Sequence, residues 1–455
     1  MSNRPETNKQ SCPVYKKCGG CQLQNLSYPE QLEFKQKKVE KLLKRFCTVE
    51  KIIGMKTPYH YRNKVQAAFY TDKKGKIISG VYQSGSHHVV GIDSCQTEDV
   101  IADKIIVAVR KLLPSFRMTT YNEDTGKGFL RHILVKRGFA TNQIMLVLVT
   151  GTPVFPSKNN FVKAILKQFP EITTIVQNIN PYRTNLVLGD NQKVLYGKGY
   201  IEDILCGCRF RISPKSFYQI NPVQTEVLYG KAIEFANLKG NETVLDTYCG
   251  IGTIGIIAAK NGAGNVIGAE LNGDAVRDAI VNARANNLKN IRFYKADAGE
   301  FMREATDEDE KPDVVFMDPP RAGSDRKFLD SLIKMSPKKV VYVSCNPETL
   351  ARDLAYLTQN SPYKAQKIQP VDMFPHTAHI ETVVLLSHKK PDGHINVKVE
   401  FGEGEGKVPL DNIAKRAESY KPKERVTYKM IKEYIEAKYG FKVHTAYIAE
   451  VKRDL

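Results

Sequence analysis

The chain has 455 residues, of which 42% are hydrophobic, and it carries a formal net charge of +19 at pH 7. This length allows more than one domain, each with an ample core. The charge indicates a polyanionic partner, nucleic acid before membrane, with general solubility as the simpler explanation.

No apolar run in the sequence approaches the length of a membrane span, and residues 1–5 lack the apolar core of a signal peptide. We therefore expect a soluble cytoplasmic protein with no membrane partner. In that reducing compartment the nine cysteines are predicted to be thiols or metal ligands rather than disulfides.

Three cysteines lie close together near the N-terminus: Cys12, Cys18 and Cys21, with glycines between the last two. Close thiols in a glycine-bearing loop can wrap a metal ion or an iron–sulfur cluster without strain. A fourth ligand is needed, and Cys95 is the nearest candidate outside this loop. Zinc also accepts four thiolates, but three close cysteines and a distant fourth favour a cluster.

A strand-rich region follows the Lys-rich amphipathic helix predicted for residues 28–46. Between residues 56 and 210, apolar runs such as 144–149 are broken by Gly, Asn and Pro turns. Basic and aromatic residues interleave in this region, among them Tyr59, His60, Tyr61, Arg62, Lys64, Tyr82, Arg131 and His132. Such a mixture suits a surface that stacks bases and neutralises phosphates, although half-buried strands share it. The sequence predicts a β-rich nucleic-acid-binding domain over 56–210, after an N-terminal segment of residues 1–55.

Regular alternation of strands and helices begins at Glu242 and is typical of a doubly wound parallel sheet. Seven strands are predicted, the last two completing the sheet with an antiparallel edge: Glu242–Asp246, Asn265–Glu270, Ile291–Lys295, Asp313–Asp318, Lys339–Val343, about Lys367–Val371 and Glu381–Ser387. We predict an α/β domain over residues 211–388 and a basic appendage over 389–455.

A glycine-rich loop, residues 250–255, follows the first of these strands. Glycines at this place let the backbone approach a ligand closely. The Gly-x-Gly-x-x-Gly spacing also fits a nicotinamide cofactor. Asp246, just ahead of the loop, favours S-adenosylmethionine because it can meet the cationic methionine part. Glu270 closes the second strand and can accept ribose hydroxyls from either cofactor.

Three candidate site residues stand at the margins of the later strands: Asp318, Cys345 and Glu381. Cys345 follows a buried strand and precedes a predicted helix, where ligands bind in open α/β sheets and the helix dipole favours a thiolate. Taken alone, Cys345 also fits a small buried apolar residue. Glu381 fits either an edge-protecting charge or a general base, and Asp318 fits a pocket carboxylate or a turn.

Taken together, the motifs resemble those of the RNA uracil-C5 methyltransferases of the TrmA/RumA type. The resemblance runs from Cys12 to about His388. It is carried by Cys-x5-Cys-Gly-Gly-Cys from Cys12, Tyr61-Arg62-Asn63-Lys64, the stretch Ser216 to Asn221, Asp246 to Gly250, Asp318 to Arg321, Ser344 to Pro347 and His379 to Glu381. The family implies a Rossmann-like class I S-adenosylmethionine-dependent sheet, an inserted β-rich RNA-binding domain and an N-terminal iron–sulfur segment.

The resemblance also implies roles for single residues. Cys345 is expected to be the nucleophile and Glu381 the base. A [4Fe–4S] cluster is implied on Cys12, Cys18, Cys21 and Cys95. Cofactor contacts are implied from Gln219, Tyr248, Glu270, Asp297 and Asp318, and Thr253 stands where some members use an asparagine. An N-terminal β-barrel (TRAM) domain is expected to be absent, since eleven residues precede Cys12.

The implied reaction is methylation of uracil C5. A Cys345 thiolate would add to C6, the activated C5 would take the methyl group, and Glu381 would remove the C5 proton. The cluster cysteines point to 23S ribosomal RNA as substrate, with no DNA partner. The alternatives are methylation of uracil C5 in transfer RNA, methylation of cytosine C5 in RNA, and a non-catalytic iron–sulfur RNA-binding protein.

Overall fold

Two helices begin the part of the chain that the computed structural model describes, which comprises residues 12–83, 86, 88–307 and 311–388. They are α1 (Tyr15–Cys18) and α2 (Tyr28–Leu43). The Glu30 carboxylate accepts hydrogen bonds from the backbone N–H and the hydroxyl of Ser27. This capping box starts α2 at the predicted residue, and the helix ends three residues before its predicted end.

A seven-stranded sheet occupies the region predicted to be strand-rich. Its strands are β1 (Lys64–Thr71), β2 (Ile77–Tyr82), β3 (Val89–Gly91), β4 (Leu130–Arg137), β5 (Ile144–Thr150), β6 (Ile172–Ile179) and β7 (Asn191–Tyr196), and its helices are α3 (Val100–Leu112) and α4 (Lys158–Gln168). The strand order is β3-β2-β1-β4-β5-β6-β7, with β5 and β6 parallel and the other pairs antiparallel. The hairpin of β8 (Ile201–Leu205) and β9 (Cys208–Ile212) and the helix α5 (Pro222–Ala236) follow.

The second seven-stranded sheet has the predicted doubly wound pattern. Its elements are β10 (Thr243–Asp246), α6 (Thr253–Lys260), β11 (Asn265–Glu270), α7 (Gly273–Ala285), β12 (Ile291–Lys295), α8 (Ala298–Asp307), β13 (Val314–Met317), α9 (Arg326–Met335), β14 (Lys339–Ser344), α10 (Pro347–Asn360), β15 (Tyr363–Val371) and β16 (Glu381–His388). The order is β12-β11-β10-β13-β14-β16-β15. All seven predicted strands are confirmed, because long apolar runs are a strong signal for buried strands.

One detail of this sheet differs from the prediction. The reversed strand is β16, which pairs antiparallel with both β14 and β15, so it lies one position inside the edge. The edge strand β15 is itself accompanied by residues 49–53, through the bridges Val49 to Ile368 and Ile53 to Val371. This strip of chain protects the edge from pairing with other molecules.

The strand β5 shows how the two sheets share a core. All seven of its residues are buried. Ile144, Leu146 and Leu148 pack in a cluster with α3 and α4, whereas Met145 and Val147 belong to the cluster that also contains β10 and α6. Successive side chains of a strand point to opposite faces, so β5 is covered on both faces.

Two further predictions concern membrane-spanning segments and the C-terminal residues. No helix in the described ranges is long and apolar enough to cross a membrane. The predicted appendage of residues 389–455 lies outside the described residues. The predicted domain boundaries stay predictions.

A buried ion pair joins α2 to the loop after β15. Lys35 Nζ lies 2.6 Å from Asp372 Oδ1, and neither side chain is exposed. The hydroxyl of Tyr28 donates to Asp372 Oδ2 at 2.9 Å, and Lys35 Nζ also donates to the carbonyl of Phe374 at 3.0 Å. Because both charges are paired and hydrogen-bonded, their burial is tolerated. The pair fixes the start of the loop that leads into Glu381.

Replacing Lys35 with alanine should lower the free energy of unfolding by about 3–5 kcal/mol, because the Asp372 carboxylate stays buried without a counter-charge. Urea denaturation measures this change. Lys37→Ala on the same helix is the matched control, since its pair with Glu33 is exposed and contributes little. Equal stability of the two variants would contradict the assigned role of the buried pair.

Candidate active site

Three strand ends meet at one edge of the second sheet. The parallel strands β13 and β14 bring Asp318 and Cys345, which directly follow them, to the same edge. β16 runs the other way, with Thr382 opposite Ser344, so its first residue, Glu381, begins where β14 ends. The strand register therefore sets Glu381 beside Cys345.

A cavity of about 550 Å³ opens between this edge and the glycine-rich loop after β10. Its size is typical of a site for a small organic molecule. Its lining contains every predicted catalytic or cofactor-binding residue except Asp297, namely Gln219, Tyr248, Thr253, Glu270, Asp318, Cys345 and Glu381. It also contains residues to which the sequence analysis gave no role in the site, including Lys64, Phe217, Tyr229, Arg321 and Phe374.

The Cys345 thiol lies half-buried among carboxyl groups. Burial raises its pKa to about 11, the charges of Glu381 and Asp318 add to the rise, and Arg321 acts in the opposite direction. Desolvation and two nearby negative charges therefore act against the thiolate that the neighbouring helix N-terminus is expected to favour. That expectation stays a prediction. Cys345 needs a further positive charge or a base to become a nucleophile.

Asn346 orders the backbone around Cys345. Its side-chain oxygen accepts a hydrogen bond from the N–H of Glu348 at 3.1 Å, which caps α10. Its amide nitrogen donates to the carbonyl of Arg321 at 3.1 Å, and the hydroxyl of Thr349 donates to the same carbonyl at 3.3 Å. Asn346 thereby ties the loop after β13 to the start of α10.

Glu381 is a buried carboxyl group, and Asp318 is a partly exposed one. Burial raises the pKa of Asp318 to about 7. Burial, and then the charge of Asp318, raises the pKa of Glu381 well above its usual range, although Arg321 lowers it. Buried groups with such pKa values are suited to proton transfer near neutral pH.

Asp246 occupies the floor of the glycine-rich loop. Its Oδ2 accepts a hydrogen bond from the N–H of Gly255 at 2.8 Å, and burial raises its pKa to about 7. Its Oδ1 is buried and receives no hydrogen bond from any described residue. A buried carboxylate oxygen without a partner is costly, and the ammonium group of a bound methionine moiety would satisfy it. The site fits S-adenosylmethionine in this respect.

Glu270 closes β11 on the other side of the loop. Its carboxylate accepts hydrogen bonds from the N–H groups of Gly250 at 3.1 Å and Asn272 at 2.7 Å. These bonds fix the carboxylate at the cavity wall, at the strand end where the ribose of a nucleotide cofactor binds in this fold.

Tyr229 is a site residue that the sequence analysis missed. It is buried on α5 and lines the cavity, and Gln219 and Thr253 both oppose the rise that burial causes in the pKa of its hydroxyl. The Tyr229 hydroxyl therefore lies near two predicted cofactor residues from different elements. The helix α5 is largely apolar, so the sequence around Tyr229 indicated a core residue and not a site residue.

Comparisons with known proteins identify the family. A model of the family described as tRNA (Uracil-5-)-methyltransferase matches residues 183–389. A protein described as an uncharacterized RNA methyltransferase of Bacillus cereus is 44% identical over 388 residues, which covers 84% of each chain. A protein with the same description from Listeria monocytogenes is 46% identical over 379 residues, covering 82% of this chain and 83% of that one.

A solved structure with the same architecture decides the identification. The Pyrococcus abyssi tRNA (uracil-54, C5)-methyltransferase in complex with S-adenosyl-L-homocysteine is 31% identical, with a TM-score of 0.69 over 81% of this chain and 85% of its own. The chain belongs to the RNA uracil-C5 methyltransferase family. It is an S-adenosylmethionine-dependent RNA methyltransferase with the class I fold, as the sequence motifs predicted.

Asp297 lies outside the main cavity of this methyltransferase. Its Oδ1 accepts hydrogen bonds from the N–H groups of Gly299 and Glu300 at the start of α8. It lines a neighbouring cavity of about 670 Å³ together with Phe328, whose ring lies 5.3 Å from that of Tyr248. The predicted contact between Asp297 and the cofactor stays a prediction.

The four cysteines predicted to bind a cluster include one with a strongly shifted pKa. Burial raises the pKa of Cys21 to about 12, Cys95, Cys18 and Cys12 contribute to the rise, and Arg62 opposes it. Within the described residues, however, no three His, Cys, Asp or Glu side chains are close enough to hold a metal ion. The predicted cluster is not confirmed.

S-adenosylmethionine should bind the methyltransferase more tightly as the pH rises through about 7. Asp318 and Asp246 are largely neutral below this pH and charged above it, and the ligand is a net cation. The affinity should rise by up to about tenfold per pH unit for each coupled ionisation, and binding below pH 7 should release protons. Calorimetry in several buffers measures both quantities.

Two variants separate the pocket carboxylate from general effects of pH. Asp318→Asn should reduce the change of S-adenosylmethionine affinity with pH. The side chain of Asp190 is 97% exposed, so Asp190→Asn should leave the pH dependence of the affinity unchanged. Tighter binding at low pH, or proton uptake on binding, would contradict the assigned electrostatics.

Proposed function

We propose that this enzyme methylates C5 of uridine in 23S ribosomal RNA through a covalent adduct between Cys345 and C6 of the base. The observation that carries the proposal is the apposition of Cys345 and Glu381 across the β14–β16 pair, in a cavity shared with Asp318. A nucleophile and a proton acceptor side by side fit the two halves of the chemistry.

The first half of the reaction activates the base. C5 of uracil is a weak nucleophile, and addition of the Cys345 sulfur to C6 moves electron density to C5. S-adenosylmethionine, when bound, supplies an electrophilic methyl group and a positive charge. Positive charge beside Cys345 lowers the pKa of its thiol, which burial and the carboxylates have raised to about 11.

The second half of the reaction restores the aromatic ring. After C5 has gained the methyl group, Glu381 takes the C5 proton, the electron pair re-forms the C5–C6 double bond, and the C6–sulfur bond breaks to return the Cys345 thiolate. The raised pKa of Glu381 makes its carboxylate a stronger base than an exposed glutamate. Positioning of these groups supplies much of the rate.

The target base must leave its stack to reach Cys345. Phe217 is suited to receive it, because its ring is 65% exposed although it lines the cavity. Unstacked bases in RNA are commonly recognised by stacking on aromatic side chains. The motif around Phe217 belongs to the family resemblance, so the sequence contained a signal for this residue.

A [4Fe–4S] cluster on the four N-terminal and central cysteines is part of the proposal. The effect of Cys95, Cys18 and Cys12 on the pKa of Cys21 supports it, because a cluster binds thiolates and offsets their repulsion. Iron and sulfide analysis of anaerobically purified protein, compared with Cys21→Ser, tests it. Protein of full activity without iron would remove the cluster from this account.

The cysteine segment contacts the loop that leads into Glu381. The N–H of Leu23 donates to the carbonyl of His376 at 2.9 Å, and the N–H of Ala378 donates to Gln22 Oε1 at 3.2 Å. A cluster would therefore stabilise the segment that holds this loop, and no redox step is needed.

Loss of this protein should remove 5-methyluridine from 23S ribosomal RNA. We expect the enzyme in the cytoplasm, where that substrate is found. Nucleoside mass spectrometry and site mapping of RNA from cells with and without the protein measure this. Loss confined to transfer RNA would favour the alternative suggested by the Pyrococcus abyssi relative, and loss of 5-methylcytidine would favour cytosine as target. Either result contradicts the proposed substrate.

Glu381→Gln should let a covalent RNA–protein adduct accumulate, because the methylated intermediate keeps its C5 proton and cannot release Cys345. A heat-stable shifted band in a denaturing gel reports the adduct, and turnover should fall by at least about 100-fold. Cys345→Ala should form no band and should still bind S-adenosylmethionine. A Glu381→Gln enzyme that turns over without an adduct would assign the base elsewhere.

A further inference from the structure

The loop between β6 and β7, residues 181–190, has a firmly held backbone. The buried guanidinium of Arg131 donates to three main-chain carbonyls, those of Asn180 (3.3 Å), which directly precedes the loop, and of Tyr182 (2.8 Å) and Thr184 (3.1 Å) within it. Hydrogen bonds from a charged group are among the stronger ones in proteins. The first half of the loop is therefore fixed to β4.

Two buried asparagines hold the second half of the loop. Asn180 Nδ2 donates to the carbonyls of Leu186 at 2.7 Å and Val187 at 3.1 Å. Asn178 accepts from the N–H of Gly189 at 2.7 Å and donates to its carbonyl at 3.0 Å. A side chain at Gly189 would meet the carbonyl of Ile179 at 2.1 Å, so only glycine permits this close packing.

Two large side chains of this well-held loop are exposed to solvent. Tyr182 is 68% exposed and Leu186 is 71% exposed. The exposed side chains of Tyr182 and Leu186 do not contribute to the hydrophobic core, so core packing does not explain why the loop is held in one conformation. A preorganised loop loses little conformational entropy when a partner covers it. Aromatic side chains are frequent anchors of such contacts.

The end of the loop is tied to the segment that carries Phe217. Asp190 Oδ1 lies 3.0 Å from Lys215 Nζ, and Lys215 precedes the cavity-lining residue Phe217 by two positions. This loop is therefore within reach of an RNA strand whose base contacts Phe217.

The charges around the loop favour a polyanion. Lys127, Arg183 and Lys193 flank it, and none of the three has a carboxylate partner among the residues that the structure describes. The turn that carries Lys127 packs near the guanidinium of Arg183, since a side chain on Gly126 would lie 3.7 Å from its Nε. An exposed aromatic ring in a loop flanked by cations that have no carboxylate partner fits single-stranded nucleic acid.

We propose that the β6–β7 loop is an RNA-contacting element in which Tyr182 stacks on an unpaired base close to the target uridine, with Leu186 packing beside it. This inference rests on the RNA substrate of the proposed function. It assigns a recognition role to residues outside the cavity and the motifs of the sequence analysis.

The hairpin itself offers a matched control for the test. Tyr196, 42% exposed, lies at the opposite end of the β6–β7 pair, opposite Ile175, whereas the loop joins Ile179 to Asn191. The full-length variants Tyr182→Ala, Tyr182→Trp and Tyr196→Ala are compared. The probes are unmodified 23S ribosomal RNA from cells lacking the protein and single-stranded oligouridine, each at several salt concentrations.

Tyr182→Ala should weaken RNA binding by about 5- to 150-fold, the range expected for loss of one stacked base. Its salt dependence should match that of the wild type, because no phosphate contact is lost. Tyr182→Trp and Tyr196→Ala should bind RNA like the wild type. Binding of S-adenosylmethionine and the melting temperature should not change in any variant.

Equal RNA affinity of Tyr182→Ala and Tyr196→Ala would overturn the inference while leaving the proposed function intact. Self-association of the wild type that Tyr182→Ala abolishes, with RNA affinity unchanged, would assign the loop to a second copy of this chain and overturn it as well. Failure of the wild type itself to bind or methylate either RNA would instead remove the proposed function on which the inference rests.

Discussion

The antiparallel pairing of β14 with β16 is the constraint on which the active site depends. In a fully parallel sheet the first residue of one strand lies a strand length, about 20 Å for six residues, from the last residue of its neighbour. Reversal of β16 brings Glu381 to the end of β14, where Cys345 follows. β15 pairs with the other side of the reversed strand, and residues 49–53 in turn bridge to β15. A shift of one residue would turn every side chain to the other face, so this packing also fixes the register.

Burial gives the site its chemistry. Asp246, Asp318, Glu381 and Cys345 all have raised pKa values, and burial is the main cause in each case. The site is therefore reluctant to hold negative charge until a cation enters it. In the proposed mechanism, a cationic methyl donor would lower these pKa values together and so favour the thiolate form of Cys345.

The sequence predicted the second sheet well and the environment of the site less well. Its strands were evident because long β-branched runs are diagnostic of burial, and the residues at their ends follow from the geometry of parallel sheets. The position of β16 inside the edge was not predicted, because apolar runs identify buried strands but not their order in the sheet. The pKa of Cys345 depends on Glu381 and Asp318, which only the folded chain brings together.

Other features of the site were beyond local sequence patterns. Tyr229 occupies a helix position that periodicity assigns to the core, and its proximity to Gln219 and Thr253 brings together three separate segments of the chain. The loop at residues 181–190 contains turn-forming residues that are typical of any surface loop. Its rigidity comes from Arg131 on β4, about fifty residues earlier in the chain.

The most direct measurement for the central claim is trapping with RNA that contains 5-fluorouridine. Fluorine at C5 cannot leave as a proton, so the adduct that precedes release of the enzyme should persist in the presence of S-adenosylmethionine. Peptide mass spectrometry of the trapped complex should locate the modified base on Cys345, and Cys47→Ala, which changes another partly exposed thiol, should trap equally well. A methylating enzyme that yields no such adduct, or an adduct on another residue, would contradict the account.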